Sequence, residues 1–207
     1  DETSGNTAND ATWNGQAGSY VGEKDLGRAG IMAGSNAVNL REPVPGGIFG
    51  TGKKDGGSVV STRSITSPTV FTQEVWVKTT STTGGRIIGF GNSSNAALSS
   101  SFDRHMQMLN NGRVMFGAYP GAEVRVTSTK AVNDGQWHHL VSSLGPDGMK
   151  LYIDGQLEGT NPNTAAQNCS GYWKVGGDNV WSDSSKTHFL GEFDEAAIYS
   201  RVLTLGE

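Results

Sequence analysis

Trp137-His138-His139-Leu140-Val141-Ser142-Ser143, followed through Gly145-Pro146-Asp147-Gly148 by Met149-Lys150-Leu151-Tyr152-Ile153, is the stretch whose reading decides the fold. Asp154-Gly155 and Gln156-Leu157-Glu158 then complete a hairpin. Asp-Gly between two strand-like runs favours a type I′ turn, because glycine accepts φ > 0 without a Cβ clash. Upstream, Phe71, Gln73, Val75 and Val77 alternate with Thr72, Glu74, Trp76 and Lys78, a period of two with β-branched and aromatic enrichment. Arg86 to Gly91 is a short apolar run between glycine and asparagine punctuation. His105 to Leu109 and Arg113 to Tyr119 flank Asn110-Asn111-Gly112, a hairpin loop. Further strand-like runs fall at Glu123 to Ser128, Tyr172 to Val175, Phe189 to Phe193 and Glu195 to Tyr199. No amphipathic helix emerges, and only Val202-Leu203-Thr204 hints at a helical turn. Short strands without crossover helices point to an all-β antiparallel sandwich or barrel. The glycine-rich joints at 46–57 and 82–85 read as loops inside one domain spanning residues 1–207.

Composition narrows the function. Of 207 residues 30 are glycine, against a usual share of about 7%, and 39 are serine or threonine, while charged residues make up 17%. Five Trp, seven Phe and five Tyr within a hydrophobic fraction of 35% suffice for a core. No apolar run reaches the ~20 residues of a membrane-spanning helix, so no membrane insertion is expected. A net charge of −4 without clustered Lys and Arg argues against nucleic acid. The single cysteine, Cys169, excludes an intrachain disulfide framework and a cysteine-based zinc site. Low charge and abundant Thr, Ser, Gly and Asn fit an extracellular module, and an opening at Asp1-Glu2 suits a domain excised from a larger secreted protein.

Catalytic motifs are scarce. His138 and His139 are neighbours, so a strand points them to opposite sides, and a structural role is expected. Neither Gly-x-Ser-x-Gly nor Gly-x-x-x-x-Gly-Lys occurs. A sugar-binding surface is the better candidate. Aromatic rings stack on the apolar faces of sugars, and planar polar side chains read the hydroxyls. Residues 172–188 are rich in these types, offering Trp173, Asp178, Asn179 and Trp181 beside a Gly176-Gly177 joint. In a strand Tyr172 and Trp173 face opposite ways, so Trp173 is either a sugar-facing residue or a core residue. His105 and Gln107 join them if Met106 and Met108 face the core, with Tyr119 near the edge. Trp181 is expected to be the exposed indole of the group. Trp76 and Trp137, inside strand motifs, are expected to be packing residues.

Four segments in this order, Phe71 to Lys78, Asp134 to Val141, Leu151 to Gly155 and Gly191 to Leu203, resemble a laminin G-like domain. More narrowly, they are similar to the bacterial concanavalin A-like lectin/glucanase type. The resemblance implies a jelly roll of two antiparallel sheets. It also implies carbohydrate binding, to an oligo- or polysaccharide, by a secreted or cell-surface module covalently linked to catalytic or surface domains. Relatives of the fold often carry one structural calcium, and by this resemblance Asp1, Asn6 and Asp194 are the expected ligands, a set of oxygens suited to that ion. Glucanases of the fold project paired carboxylates from one strand. Here Glu192 and Asp194 would share a side, but Glu195 faces away and the next position of that side is Ala196, so no enzyme activity is expected. Alternatives are a protein-binding or adhesion module and a glycoside hydrolase of the same fold.

Overall fold

The alternation at residues 71–78 becomes a strand with Phe71, Val75 and Val77 in the core and Glu74, Trp76 and Lys78 on the outside. A computed structural model describes residues 2–9, 17–22, 24–40 and 57–207. Asp1, Asp10, Trp13 and the glycine-rich joint as far as residue 56 lie outside the described residues.

The described strands form a sandwich of two antiparallel sheets. One has nine strands. It runs from β1 (Thr7–Ala8) through β2 (Gly18–Val21), β5 (Ser58–Ser61), β15 (Ser170–Gly176), β8 (Gly85–Gly91), β9 (Phe102–Met108) and β10 (Arg113–Ala118) to β11 (Val124–Ala131), with β6 (Ile65–Thr66) also paired to β15. The other has seven strands, ordered β14 (Gln156–Asn161), β13 (Gly148–Ile153), β12 (Trp137–Gly145), β7 (Phe71–Lys78), β16 (Glu192–Tyr199), β4 (Asn36–Leu40) and β3 (Lys24–Ala29). Among the described residues there is no helix, and residues 200–207 make turns instead of the helical turn expected at Val202-Leu203-Thr204. Thr72 explains part of that path. Its hydroxyl donates to Arg201 O and accepts from Leu203 N–H, binding the segment to the outer face of β7.

The core lies between the two sheets and is aromatic at its centre. Phe71 meets Phe116 edge-on at 6.2 Å, and Trp173 packs edge-on against Phe71 at 5.1 Å and Phe90 at 5.3 Å. Such pairs add about 0.5–1.5 kcal/mol beyond area burial.

The hairpin read from Asp154-Gly155 forms as expected, with φ of 52° and 74° at the two turn residues and β13 pairing β14. His138 points inward and is clasped at both ring nitrogens, Nδ1 lying 2.9 Å from Asp154 Oδ2 and Nε2 3.0 Å from Asp134 Oδ1. That contact ties the turn to the loop before β12. His139 points the other way, stacked on Trp76 at 4.8 Å with Nε2 3.3 Å from Glu74 Oε2.

One departure from regular pairing matters for the site. Between Phe90↔Asp103 and Ile88↔Met106, β9 carries one residue more than β8, and Arg104 absorbs it at φ 50°. The Arg104 guanidinium then lies 5.3 Å from the Phe90 ring centre and donates to the carbonyls of Pro68 and Gln167.

Candidate functional site: a loop sealed onto the nine-stranded sheet

Strand parity sends Met106 and Met108 into the core and His105 and Gln107 to the outer face of the nine-stranded sheet, as the sequence suggested. That face is covered there. The segment 177–191, between β15 and β16, folds back across β8, β9 and β10, so His105 and Gln107 are fully buried.

Gln107 is the clamp. Its Oε1 accepts the Trp181 backbone N–H at 2.9 Å, and its Nε2 donates to Ser184 Oγ at 2.9 Å and Ser182 O at 3.2 Å. Arg86 on β8 holds the next turn of the loop through an Nη1 donation to Asn179 O at 2.8 Å. The Asn179 carboxamide donates to Ser99 O at 2.7 Å, joining this loop to residues 92–101. Ser184 Oγ donates to Met108 O, and Asn110 N–H donates to Asp183 O at 2.8 Å.

Trp181 owes its position to a missing side chain. A Cβ at Gly117 would sit 2.3 Å from the indole Cζ3, so only glycine on β10 lets the ring come this close to the strand. His105 meets the indole edge-on at 4.6 Å, and Tyr119, itself 39% exposed, stands 6.4 Å from it. Burial, with the Arg86 charge second, holds the His105 imidazole well below its ordinary pKa, so the ring is neutral at pH 7. The outcome is a half-buried indole beside an exposed phenol, both on a rigid base.

Behind them lies a buried electrostatic cluster. Lys174 Nζ is 3.4 Å from Asp178 Oδ2, both side chains being fully buried. Asp178 also accepts from Ser99 N–H at 2.6 Å, Ser99 Oγ at 2.7 Å and Asn179 N–H at 2.8 Å. Burial by itself would raise the Asp178 carboxyl, but the Arg86 and Lys174 charges and the Ser99 bonds outweigh it and hold the group below the usual carboxylate range. Burial lowers Arg86 to about 10, against the pull of Asp178 and Asp103.

Of the seven residues named from sequence, Trp181, Asn179, His105, Gln107 and Tyr119 do come together. Trp173 does not, because it faces inward against Phe71 and Phe90. Asp178 adjoins the group but is an internal counter-ion with no exposed surface. His105 and Gln107 orient the loop from beneath and present no free surface. Sequence reading missed Gly117 and Arg86, although both fall at the same outward parity as Gln107. It also assigned Trp76 and Trp137 to packing, whereas both are half-buried on the outer face of the seven-stranded sheet, at the outward positions of the alternation.

Glu192 and Asp194 leave β16 on one face, and after Asp194 β16 carries one residue more than β7, leaving Glu195 exposed at φ 46°. Glu192 Oε1 accepts from Arg28 Nη2 at 3.1 Å. Asp194 Oδ2 accepts Ile31 N–H at 2.8 Å and Ser35 Oγ at 3.3 Å, and its Oδ1 accepts Glu195 N–H at 3.0 Å. The expected calcium ligands fare as follows. Asn6 Oδ1 already takes the Lys24 ammonium at 2.7 Å, and Asp1 lies outside the described residues. No group of three His, Cys, Asp or Glu among the described residues could hold a metal ion. Asn6 and Asp194 carry oxygens of the kind calcium takes, each already accepting from a donor of the chain.

A family model described as the concanavalin A-like lectin/glucanases superfamily matches residues 51–207. The chain belongs to that superfamily. A search of curated proteins returned no match. Among solved structures, domain 4 of AbnA, a GH43 extracellular arabinanase from Geobacillus stearothermophilus in complex with arabinotriose, superposes with a TM-score of 0.61 at 20% identity, covering 96% of this chain and 89% of that one. The CBM40 of the Ruminococcus gnavus IT-sialidase, bound to α2,3-sialyllactose, gives 0.53 at 19% identity over 66% and 79%. A Trypanosoma rangeli sialidase in complex with sialic acid gives 0.59 at 14% identity, this chain spanning 30% of its length. At these identities the likeness is one of fold. The superfamily's jelly-roll sandwich is the architecture seen here.

Proposed function

We propose that this chain is a non-catalytic carbohydrate-binding module, lectin-like in action, within a larger secreted or cell-surface bacterial protein such as a glycosidase. The observation that carries the reading is the Trp181 indole, seated on Gly117 beside Tyr119, with the Trp181 backbone N–H held by Gln107. A preset aromatic surface suits a sugar ring, since little side-chain freedom is lost on stacking. Carbohydrate-binding modules among the structural neighbours support the same reading. Retaining hydrolysis requires two carboxyl groups about 5 Å apart across the scissile bond. Near Trp181 the buried carboxylates, Asp178 and Asp103, are each committed to a cation and to backbone N–H groups.

A glycan array tests the proposal. Binding to at least one glycan is expected, and Trp181→Ala is expected to weaken it about thirtyfold, as loss of a contact worth ~2 kcal/mol. Silence across the array would refute the module, and unchanged affinity in the variant would move the site elsewhere. A structural calcium at Asp1, Asn6 and Asp194 is a separate proposal, carried by the family resemblance and requiring Lys24 to release Asn6. Melting at saturating chelator tests it: a lowered midpoint supports the ion, and an identical curve removes it.

A further inference from the structure

The outer face of the seven-stranded sheet carries a row of side chains that the Trp181 site does not use. In the ladder, Trp137 stands opposite Lys78, Lys78 opposite Glu192, and Glu192 opposite Asn39. Directly paired residues share a face, and Val77 in the core fixes that face as the outer one. An indole, an ammonium, a carboxylate and a carboxamide thus follow one another across β12, β7, β16 and β4. At about 4.8 Å per strand the row is roughly 14 Å long.

This row runs into an open cleft. The cleft has a volume of about 430 Å³, and Asn39, Lys78, Thr80, Gly135 and Glu192 line it. Two of its polar side chains are uncommitted, unlike those under the loop. Among the described residues, the Asn39 carboxamide and the Thr80 hydroxyl make no hydrogen bond. Lys78 Nζ is 3.8 Å from Glu192 Oε2 and 5.9 Å from the centre of the Trp137 ring, so no short contact fixes it. Glu192, which lines the cleft, is steadied by Arg28 through Oε1, and its Oε2 is the oxygen nearest Lys78.

We propose that this row is a second carbohydrate site, taking a short neutral glycan chain laid across the strands. Trp137 stacks on one sugar ring, Lys78 swings from the indole onto neighbouring hydroxyls, Glu192 accepts from hydroxyls, and the Asn39 carboxamide and Thr80 hydroxyl read the far end. The two charges of the row, Lys78 and Glu192, are opposite in sign, and Asp25 offsets the neighbouring Arg28, so no single-sign field draws a polyanion. An acidic sugar would also bring its carboxylate against Glu192. A linear row of donors and acceptors with an aromatic at one end matches a chain of hydroxyl-bearing rings better than a compact ion. This inference rests on the carbohydrate-binding reading of the module.

The test is titration of the full chain with arabinotriose, xylotriose and cellotriose, and with α2,3-sialyllactose as the acidic comparison. Calorimetry gives the number of sites, and the indole N–H resonances, assigned with Trp137→Phe and Trp181→Phe variants, show which tryptophans respond. A neutral trisaccharide is expected to occupy two sites and shift both the Trp137 and Trp181 resonances. Asn39→Ala is expected to weaken only the event sensed at Trp137, by about tenfold, with melting unchanged. Trp181→Ala should remove only the other. A single site that is lost in Trp181→Ala and indifferent to Asn39→Ala overturns the second site and leaves the module reading intact. No binding of any glycan refutes both. A Trp137 response to sialyllactose alone overturns the neutral assignment.

Discussion

Asp178→Ala is expected to lower the unfolding free energy by about 3–5 kcal/mol, because it strands Lys174 and Arg86 as buried charges. Three hydrogen bonds from Ser99 and Asn179 are lost with the carboxylate. In a chain of this size the melting midpoint should fall by roughly 6–20 °C. Asp178→Asn, which keeps one acceptor oxygen but removes the charge, should lie between wild type and alanine. Denaturant titration measures both. A loss under ~1 kcal/mol for alanine would show that Lys174 and Arg86 find other compensation. Were Asp178 a sugar ligand, the substitution would instead leave stability near wild type and abolish binding.

Trp173→Ala should be comparably severe, about 3–5 kcal/mol, since the vacated space lies between Phe71 and Phe90 and cannot be refilled by local shifts. Trp173→Phe keeps an aromatic there and should cost less. For either variant, glycan affinity measured well below the melting midpoint should match wild type. Weaker affinity in a fully folded Trp173→Phe protein would put this indole at the ligand after all.

These two residues mark where sequence stopped being informative. Period-two alternation placed Met106, Met108, His105 and Gln107 on their correct sides, and the Asp154-Gly155 turn followed from glycine's tolerance of positive φ. Parity also kept Glu192 and Asp194 together on one side. Yet alternation says which side a residue faces, not what covers that side. Segment 177–191 roofs the outer face of β8 and β9, so the residues there are buried on both sides of the strand, and polarity ceased to signal exposure. Trp173 was ambiguous because Tyr172 and Trp173 are both aromatic, and nothing local told which one faced in. Trp76 and Trp137 erred in the opposite direction. Their hydrophobicity suggested packing, although the alternation with Val75 and Val77 already put Trp76 outside. The Gln107 clamp joins residues 74 positions apart, and no window of sequence contains it.

The place of β16 in the seven-stranded sheet bears on how the molecule is made. Residues 192–199 pair with β7 on one side and β4 on the other, so among the described strands β3 and β4 join the sheet through β16, the last of them. As synthesis proceeds from the amino end, β4 waits for nearly three quarters of the sequence to emerge before this partner strand is made. Non-local pairing of this kind slows folding, and waiting edges invite association with other nascent chains. Quality control during translation, more than stability of the finished protein, is where mutations in β16 should first be felt.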